Sequence, residues 1–229
     1  MTMKAALLQA AVAQLPDGEL IARILAGDMH ALEAMMRRYN RALYRTARAI
    51  LRDDAEAEDV VQETYVRAYS ALADFRGDSK LSTWLVRIAA NEALMRRRKR
   101  GRRADVVPMD GAAAGEAKED PMSAETGPEE NAQRSEARRL LERRIDALPD
   151  DYRAVFVLRA VEELSVEETA AALGIPEATV RTRHFRARGL LRESLARDID
   201  SSLEEAFSFA GERCDRIVAK VLQRVKPGT

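Results

Sequence analysis

Arg181, Thr182, Phe185 and Arg186 are the side chains of this 229-residue chain best suited to specific chemistry. At 100° per residue they fall on one stripe of a helix. Val180, His184, Ala187 and Leu191 form the opposite stripe, which must face a core. An outward phenylalanine between arginines is odd for a plain surface helix. It suits a reader of the DNA major groove: arginine bonds guanine edges in bidentate fashion, threonine bonds several edges, and phenylalanine covers a thymine methyl. Arg183, Arg188 and Arg192 flank this face, where they can hold phosphates. The plainer alternative, a solvated amphipathic helix with scattered arginines, gives no reason for Phe185. His184 lies on the inward stripe and reads as a core residue rather than a ligand or a switch.

The elements that must position this face are legible just upstream. Ser165 and Glu168 have the S-x-x-E spacing of a capping box, which starts a helix. Ala170, Ala171 and Leu173 give that helix a small apolar face. Gly174 suits the left-handed residue that ends it. Pro176 fits only the start of a helix, so a second one begins there. Two helices joined by a short glycine-containing turn form the layout of a helix-turn-helix.

Composition narrows the rest. Ala, Leu, Arg and Glu dominate and aromatics are few, which favours helices over sheet. No apolar run reaches the length of a membrane span, and Gln9 and Gln14 interrupt the only candidate for a signal peptide. A cytoplasmic protein without membrane insertion is expected. Cys214 alone excludes an internal disulfide, and two histidines with one cysteine argue against zinc. No cofactor is expected.

The formal net charge is zero, but its distribution is uneven. Residues 86–103 carry Arg87, Arg96, Arg97, Arg98, Lys99, Arg100, Arg102 and Arg103 against Glu92 alone. Residues 177–197 carry six arginines against Glu177 and Glu193. The intervening residues 104–136 hold nine acids against Lys118 and Arg134. Two basic islands separated by an acidic strip point to two DNA contacts, with acid that lowers non-specific adhesion.

Periodicity organises the chain into an all-α protein of two small helical domains joined by a flexible linker. Residues 17–100 hold one or two helices up to Ile50, a helix over 55–72, and a turn over 74–80. Ser82 then caps a helix that runs into the basic island. Residues 101–135 are a flexible acidic linker. Helices resume near Ser135, with a stripe of Leu140, Leu141, Ile145 and Leu148, and the helix-turn-helix domain ends near 200. In 201–229, Phe207, Phe209, Cys214, Ile217, Val218, Val221, Leu222 and Val225 give helical spacing. That helix either packs on the second domain or docks a partner, and Cys214 reads as a small core residue.

The helix over 55–72 turns Ala57, Val61, Thr64, Tyr65, Ala68 and Leu72 inward. Asp59, Gln62, Glu63, Val66 and Ser70 point outward, a face that is either solvated or held by a partner. Taken with DAEAEDVVQETYVRAY (54–69), FRGDSKLSTWLVRIAANEA (75–93), LPDDYRAVFVLRAVEELSVEETAAALGI (148–175) and TVRTRHFRAR (179–188), the chain resembles bacterial RNA polymerase sigma factors of the extracytoplasmic-function group. The resemblance spans about residues 17–198.

The resemblance implies roles. Residues 17–100 would bind core polymerase and melt the minus-ten element, and 136–200 would read the minus-thirty-five element. Asp59, Gln62, Glu63 and Val66 would meet the clamp helices of the largest subunit, and the flap region of the second-largest subunit is a further contact. Phe75, Arg76 and Lys80 would frame a pocket for a flipped minus-ten base, with Asn91 at its edge and Arg96 and Arg97 near phosphates. This is physically sensible, because unstacked bases need stacking surfaces and cations. Asn91 shares a stripe with Trp84, Ile88 and Met95, so core and base-contacting readings both stand, while Trp84 reads as a core anchor. Arg181, Thr182, Arg183, Phe185, Arg186 and Arg188 would serve the minus-thirty-five element. His184 departs from the aliphatic residue frequent in the family, and 201–229 lies outside its two-domain minimum. An anti-sigma factor is a candidate partner, and the factor would be nucleoid-associated when bound to polymerase.

No nucleophile–base pair, Walker-type loop or metal cluster is evident, so an enzyme is not expected. The strongest rival is a stand-alone helix-turn-helix regulator. It would need a dimerisation element and would leave residues 55–100 unexplained. A small-molecule sensor is disfavoured by the scarcity of aromatics.

Overall fold

The computed structural model describes residues 12, 14–104, 128–206, 216, 217, 219 and 220, and these residues contain helices and turns but no strand. The fold is all-α, with helical domains before and after residues 105–127. Helix α1 (Asp17–Leu25) follows Pro16 and opens with Asp17 and Glu19, acids that complement its N-terminal dipole. It buries Leu20 and Ile24. Helix α2 (Met29–Leu51) is capped by Asp28, whose carboxylate accepts from the N–H groups of His30 (2.9 Å) and Ala31 (3.3 Å). It ends where Arg52 turns left-handed at φ 59°. Helix α3 (Asp54–Ala71) is capped by Asp53 and leads into a 3₁₀ turn over Leu72–Asp74.

Helix α4 (Leu81–Ala104) starts slightly before the expected position. The N–H of Trp84 donates to the carbonyl of Lys80 at 3.1 Å, so Ser82 lies inside the first turn rather than at the cap. Its buried residues Leu81, Leu85, Val86, Ala89, Ala90 and Ala93 pack against α2 and α3. Where α4 meets α3, Glu92 is buried, and its carboxylate meets Arg96 at 3.2 Å and Arg67 of α3 at 3.0 Å. A buried carboxylate persists only with such partners.

After residues 105–127, helix α5 (Pro128–Asp146) begins well before Ser135, so helix extends into the stretch read as linker. Leu141 is exposed, while Leu148 is buried. At the other end α4 runs through 101–104, so helix enters that stretch there too; residues 105–127 lie outside the described residues. Helix α6 (Asp150–Phe156) continues through a π turn over Val157–Val161. Helix α7 (Val166–Leu173) carries both halves of the capping box: Ser165 accepts from the Glu168 N–H at 3.0 Å, and Glu168 accepts from the Ser165 N–H at 2.7 Å. These contacts hold the Glu168 carboxyl below its ordinary pKa, the Ser165 N–H contributing most. Gly174 ends the helix at φ 63°. On α7, Thr169 and Ala172 are buried and Ala171 is exposed, so the apolar face lies one residue away from the expected one.

Residues Met1–Arg188 form one compact unit and Gly189–Thr229 another. Within the first, α6 with its π turn packs on α2, and α7 packs on α4. Ala154, Leu158, Leu164 and Ala172 share the buried cluster of the N-terminal helices. The main polar joint is Arg153, which is completely buried. Its guanidinium donates to the carbonyls of Ala49 (2.8 Å), Leu148 (2.9 Å) and Asp146 (3.3 Å), and to Asp150 Oδ1 (2.9 Å). Burial pushes the Arg153 pKa below its ordinary value, against the stabilising Asp150 carboxylate. Replacing Arg153 by Met leaves the buried Ala49 and Leu148 carbonyls unpaired and is expected to cost about 1–3 kcal/mol for each. A urea titration checks this; Val66→Ala, on an exposed site, serves as a control expected to stay within about 0.5 kcal/mol.

Candidate nucleic-acid interface

Helix α8 (Glu177–Ala206) presents the first candidate face. Pro176 caps its start, accepting from the N–H groups of Thr179 (2.9 Å) and Val180 (3.1 Å). Val180, Ala187 and Leu191 are buried, and His184 is half-buried. Arg181, Thr182, Arg186 and Arg188 are exposed, and Phe185 is 78% exposed. The two stripes expected from periodicity are therefore present. Arg181 pairs with Glu177 at 2.5 Å, and Thr182 bonds back to the Ala178 carbonyl at 2.9 Å. The helix runs without a break past Asp200 to Ala206, so the start of the C-terminal extension continues the same helix. Farther on, helix is described only at 216, 217, 219 and 220, where Ile217 is 53% exposed; Cys214 and the remaining apolar positions lie outside the described residues.

Two residues that periodicity did not single out join this face. Asp151 and Tyr152 open α6, about thirty residues earlier in the chain. Asp151 Oδ2 meets Arg183 at 2.6 Å, and Arg186 donates to the Tyr152 hydroxyl at 3.5 Å. Tyr152, Ala178, Thr179, Thr182, Arg183 and Arg186 line an open hollow of about 330 Å³. The only local signal is the pair of acids after Pro149, which also marks an ordinary helix start.

The second face lies on α4 and the turn before it. Phe75 is half-buried with its ring centroid 5.2 Å from that of Trp84, which itself packs against the core. Arg76, Lys80 and Asn91 are exposed. Asn91 is thus no core asparagine: the buried stripe of α4 is centred on Leu85, Ala89 and Ala93, and Asn91 and Met95 sit beyond its edge. Arg96 is held by Glu92 and lies 3.4 Å from Asp59, while Arg97 lies 3.6 Å from Asp151. Arg100 meets Glu56 at 2.6 Å. Several cations of the basic island therefore have carboxylate partners within the chain.

The third face lies on α3. Asp59 and Gln62 are exposed, Glu63 is half-buried and ion-paired with Arg67 at 2.8 Å, and Val66 is 62% exposed with exposed Tyr69 beside it. Ala57, Val60, Thr64, Tyr65 and Ala68 are buried beneath it, which adds Val60 to the expected inward set.

Two family domains match the chain: sigma-70 region 2 over residues 35–103, and sigma-70 region 4 over 138–191. The RNA polymerase sigma-H factor of Pseudomonas aeruginosa is 36% identical over 184 residues, covering 78% of this chain and 93% of that protein. The ECF RNA polymerase sigma-E factor of Escherichia coli K12 is 38% identical over 178 residues, covering 76% and 92%. The chain belongs to the extracytoplasmic-function group of RNA polymerase sigma factors. Among solved structures, this sigma factor is similar to RpoE from Bartonella quintana, crystallised with the anti-sigma factor NepR. That match has a TM-score of 0.54 at 26% identity and covers 72% of this chain and 96% of that one. It is also similar to CnrH in complex with the cytosolic domain of CnrY, with a TM-score of 0.51 at 28% identity and coverage of 80% and 98%. As a sigma factor it works with core RNA polymerase and promoter DNA in transcription initiation. No helix among the described residues is long and apolar enough to cross a membrane.

Two outcomes follow for α8. Arg186→Ala is expected to cost about 1–3 kcal/mol at one promoter base pair and little at the others, measured by binding to duplexes substituted position by position. His184 is held below its ordinary pKa of 6.5 by burial first, then by Arg159 and Arg188, and its Nε2 is buried without a hydrogen bond. The unfolded chain then binds the proton more readily, so the contribution of the neutral ring is full above pH 6.5 and lost as pH falls below it. His184→Leu should flatten the loss of thermal stability between neutral and mildly acidic pH. An unchanged slope would show that the ring does not sense pH.

Proposed function

We propose that the sigma factor divides its work between residues 17–100, which bind core polymerase and open the minus-ten element, and residues 136–200, which read the minus-thirty-five element. The observation that carries this reading is Phe185, held in water between Arg181, Thr182 and Arg186 on a helix whose other side is buried. Exposing an aromatic ring has a cost unless a base step or methyl group covers it. Arg183 and Arg188 flank it as phosphate contacts.

On the first domain, Phe75, Arg76, Lys80 and Asn91 form the pocket for the flipped minus-ten base, and Arg96 and Arg97 hold its backbone. The ring of Phe75, braced by Trp84, supplies the stacking surface that an unstacked base requires. Asp59, Gln62, Glu63 and Val66 dock the clamp helices of the largest polymerase subunit, and the second domain meets the flap region of the second-largest. The protein acts in the cytoplasm and joins the nucleoid with polymerase. RpoE is seen with the anti-sigma factor NepR and CnrH with the cytosolic domain of CnrY, and an anti-sigma factor is the corresponding partner here. The alternative, a stand-alone regulator, leaves the α3 face without a purpose.

The test is run-off transcription with purified core polymerase on a fragmented genome of the host. Initiation at specific sites that depends on the protein supports the reading. Sequence-specific binding by the protein alone, with no initiation, supports the stand-alone regulator instead. Val66→Arg, on an exposed site, should leave the fold intact. It is expected to weaken assembly with core polymerase by about tenfold or more, the effect of losing an interface anchor. Normal assembly by the folded variant would refute the α3 interface.

A further inference from the structure

The arginines of the recognition helix α8 do not have partners of one kind. Arg181 pairs with Glu177 at 2.5 Å, and Arg183 with Asp151 at 2.6 Å. Arg186, three residues further on, has no carboxylate partner among the described residues. Its polar partner is the neutral hydroxyl of Tyr152, which accepts from Arg186 Nη1 at 3.5 Å. Of the six residues that line the open hollow on this face, five belong to α8, and Tyr152 comes from α6. Tyr152 stands on a fixed base. Its N–H donates to the Pro149 carbonyl at 2.9 Å, and the next residue is the buried Arg153 with its bonds to Ala49, Asp146, Leu148 and Asp150.

We propose that Tyr152 is a positioning residue for promoter specificity, and that its hydroxyl aims the Arg186 guanidinium at the base it reads. The inference rests on the reading of Arg186 as a base contact. A bidentate bond to a guanine edge needs both arms of the guanidinium fork turned correctly. An arginine on an exposed helix face must give up rotamer freedom to reach that geometry, and a group that limits its directions beforehand lowers this loss. The phenol occupies one donor of the guanidinium and leaves the rest for a base. A bond of 3.5 Å is long, so the phenol biases the side chain without locking it. A carboxylate in the same place would neutralise the cation and compete with the base for it. The neutral hydroxyl leaves the charge of Arg186 intact.

The test uses holoenzyme made from the full chain and bacterial core polymerase, mixed with random-sequence duplexes long enough for both promoter elements. Bound duplexes are sequenced, and base preference is read position by position. Arg186→Ala should erase the preference at one position. Tyr152→Phe keeps the ring and removes the hydroxyl. It should lower the preference at that same position about twofold to fivefold, the worth of one weak hydrogen bond, and leave the other positions as they are. In the Arg186→Ala background it should change nothing further. An unchanged preference at that position overturns the proposal. An equal loss at every position also overturns it, because Tyr152 is then a phosphate contact or a support of the fold. A further loss in the Arg186→Ala background overturns it as well, because Tyr152 then acts without Arg186. If Arg186→Ala leaves every preference intact, the reading of Arg186 as a base contact fails, whatever Tyr152→Phe does.

Discussion

A buried guanidinium is tolerable only where its donors find acceptors, and Arg153 meets that condition at the junction of three helices. Ala49 lies in the last turn of α2, where backbone carbonyls have no partner within the helix. Asp146 ends α5, and Leu148 follows it. The cation therefore sits where two helix dipoles bring negative charge together, and it satisfies the buried carbonyls of Ala49 and Leu148. Its fourth bond, to Asp150, fixes the first turn of its own helix. Without that bonding, the carbonyl ends of α2 and α5 would approach each other with like partial charge and no donor between them.

Everything that α6 offers to the DNA-reading surfaces follows from this anchoring. Asp150, Asp151 and Tyr152 precede Arg153 directly, so the bonds that hold Arg153 also fix the direction of that first turn. Asp151 reaches Arg183 and Arg97 from there, and Tyr152 reaches Arg186. The capping box works in the same way one helix later. Glu168 closes the box on Ser165 and still accepts from Thr83, so a local helix signal also serves a long-range contact.

The parts of this arrangement that were legible in the sequence are those set by neighbours along the chain. The inward and outward stripes of α8, the capping box and Gly174 depend on spacings of three or four residues, and all are present. Where buried and exposed positions adjoin, spacing was less decisive. Ala171 and Ala172 differ by one step of 100°, and only the packing of α7 against its neighbours chooses between them. Asn91 was ambiguous because α4 buries a broad face of small residues, whose edge no single stripe defines. Arg153 was illegible altogether. One of its acceptors is a backbone carbonyl 104 residues away, and carbonyls have no identity that a sequence can display. The pairing of Asp151 with Arg97 and Arg183 has the same origin, since charge counts by segment treat each island separately.

The balance of charge acquires a physical meaning from these pairs. A chain with as many acids as bases has no general attraction for DNA, and the sequence concentrates its cations to overcome that. In the folded protein, carboxylates stand beside the same cations: Glu92 and Asp59 at Arg96, Glu56 at Arg100, Asp151 at Arg97 and Arg183, and Glu177 at Arg181. These acids act as resident counterions. A phosphate that arrives must replace a carboxylate already in place, so the gain per contact is smaller than for a bare arginine, and non-specific duplex competes poorly. Contacts that exchange nothing, such as Phe185 against a base, lose none of their worth by this arrangement. The fold thereby shifts the weight of recognition from charge towards shape and base identity, which suits a protein that must find promoters among a large excess of other DNA.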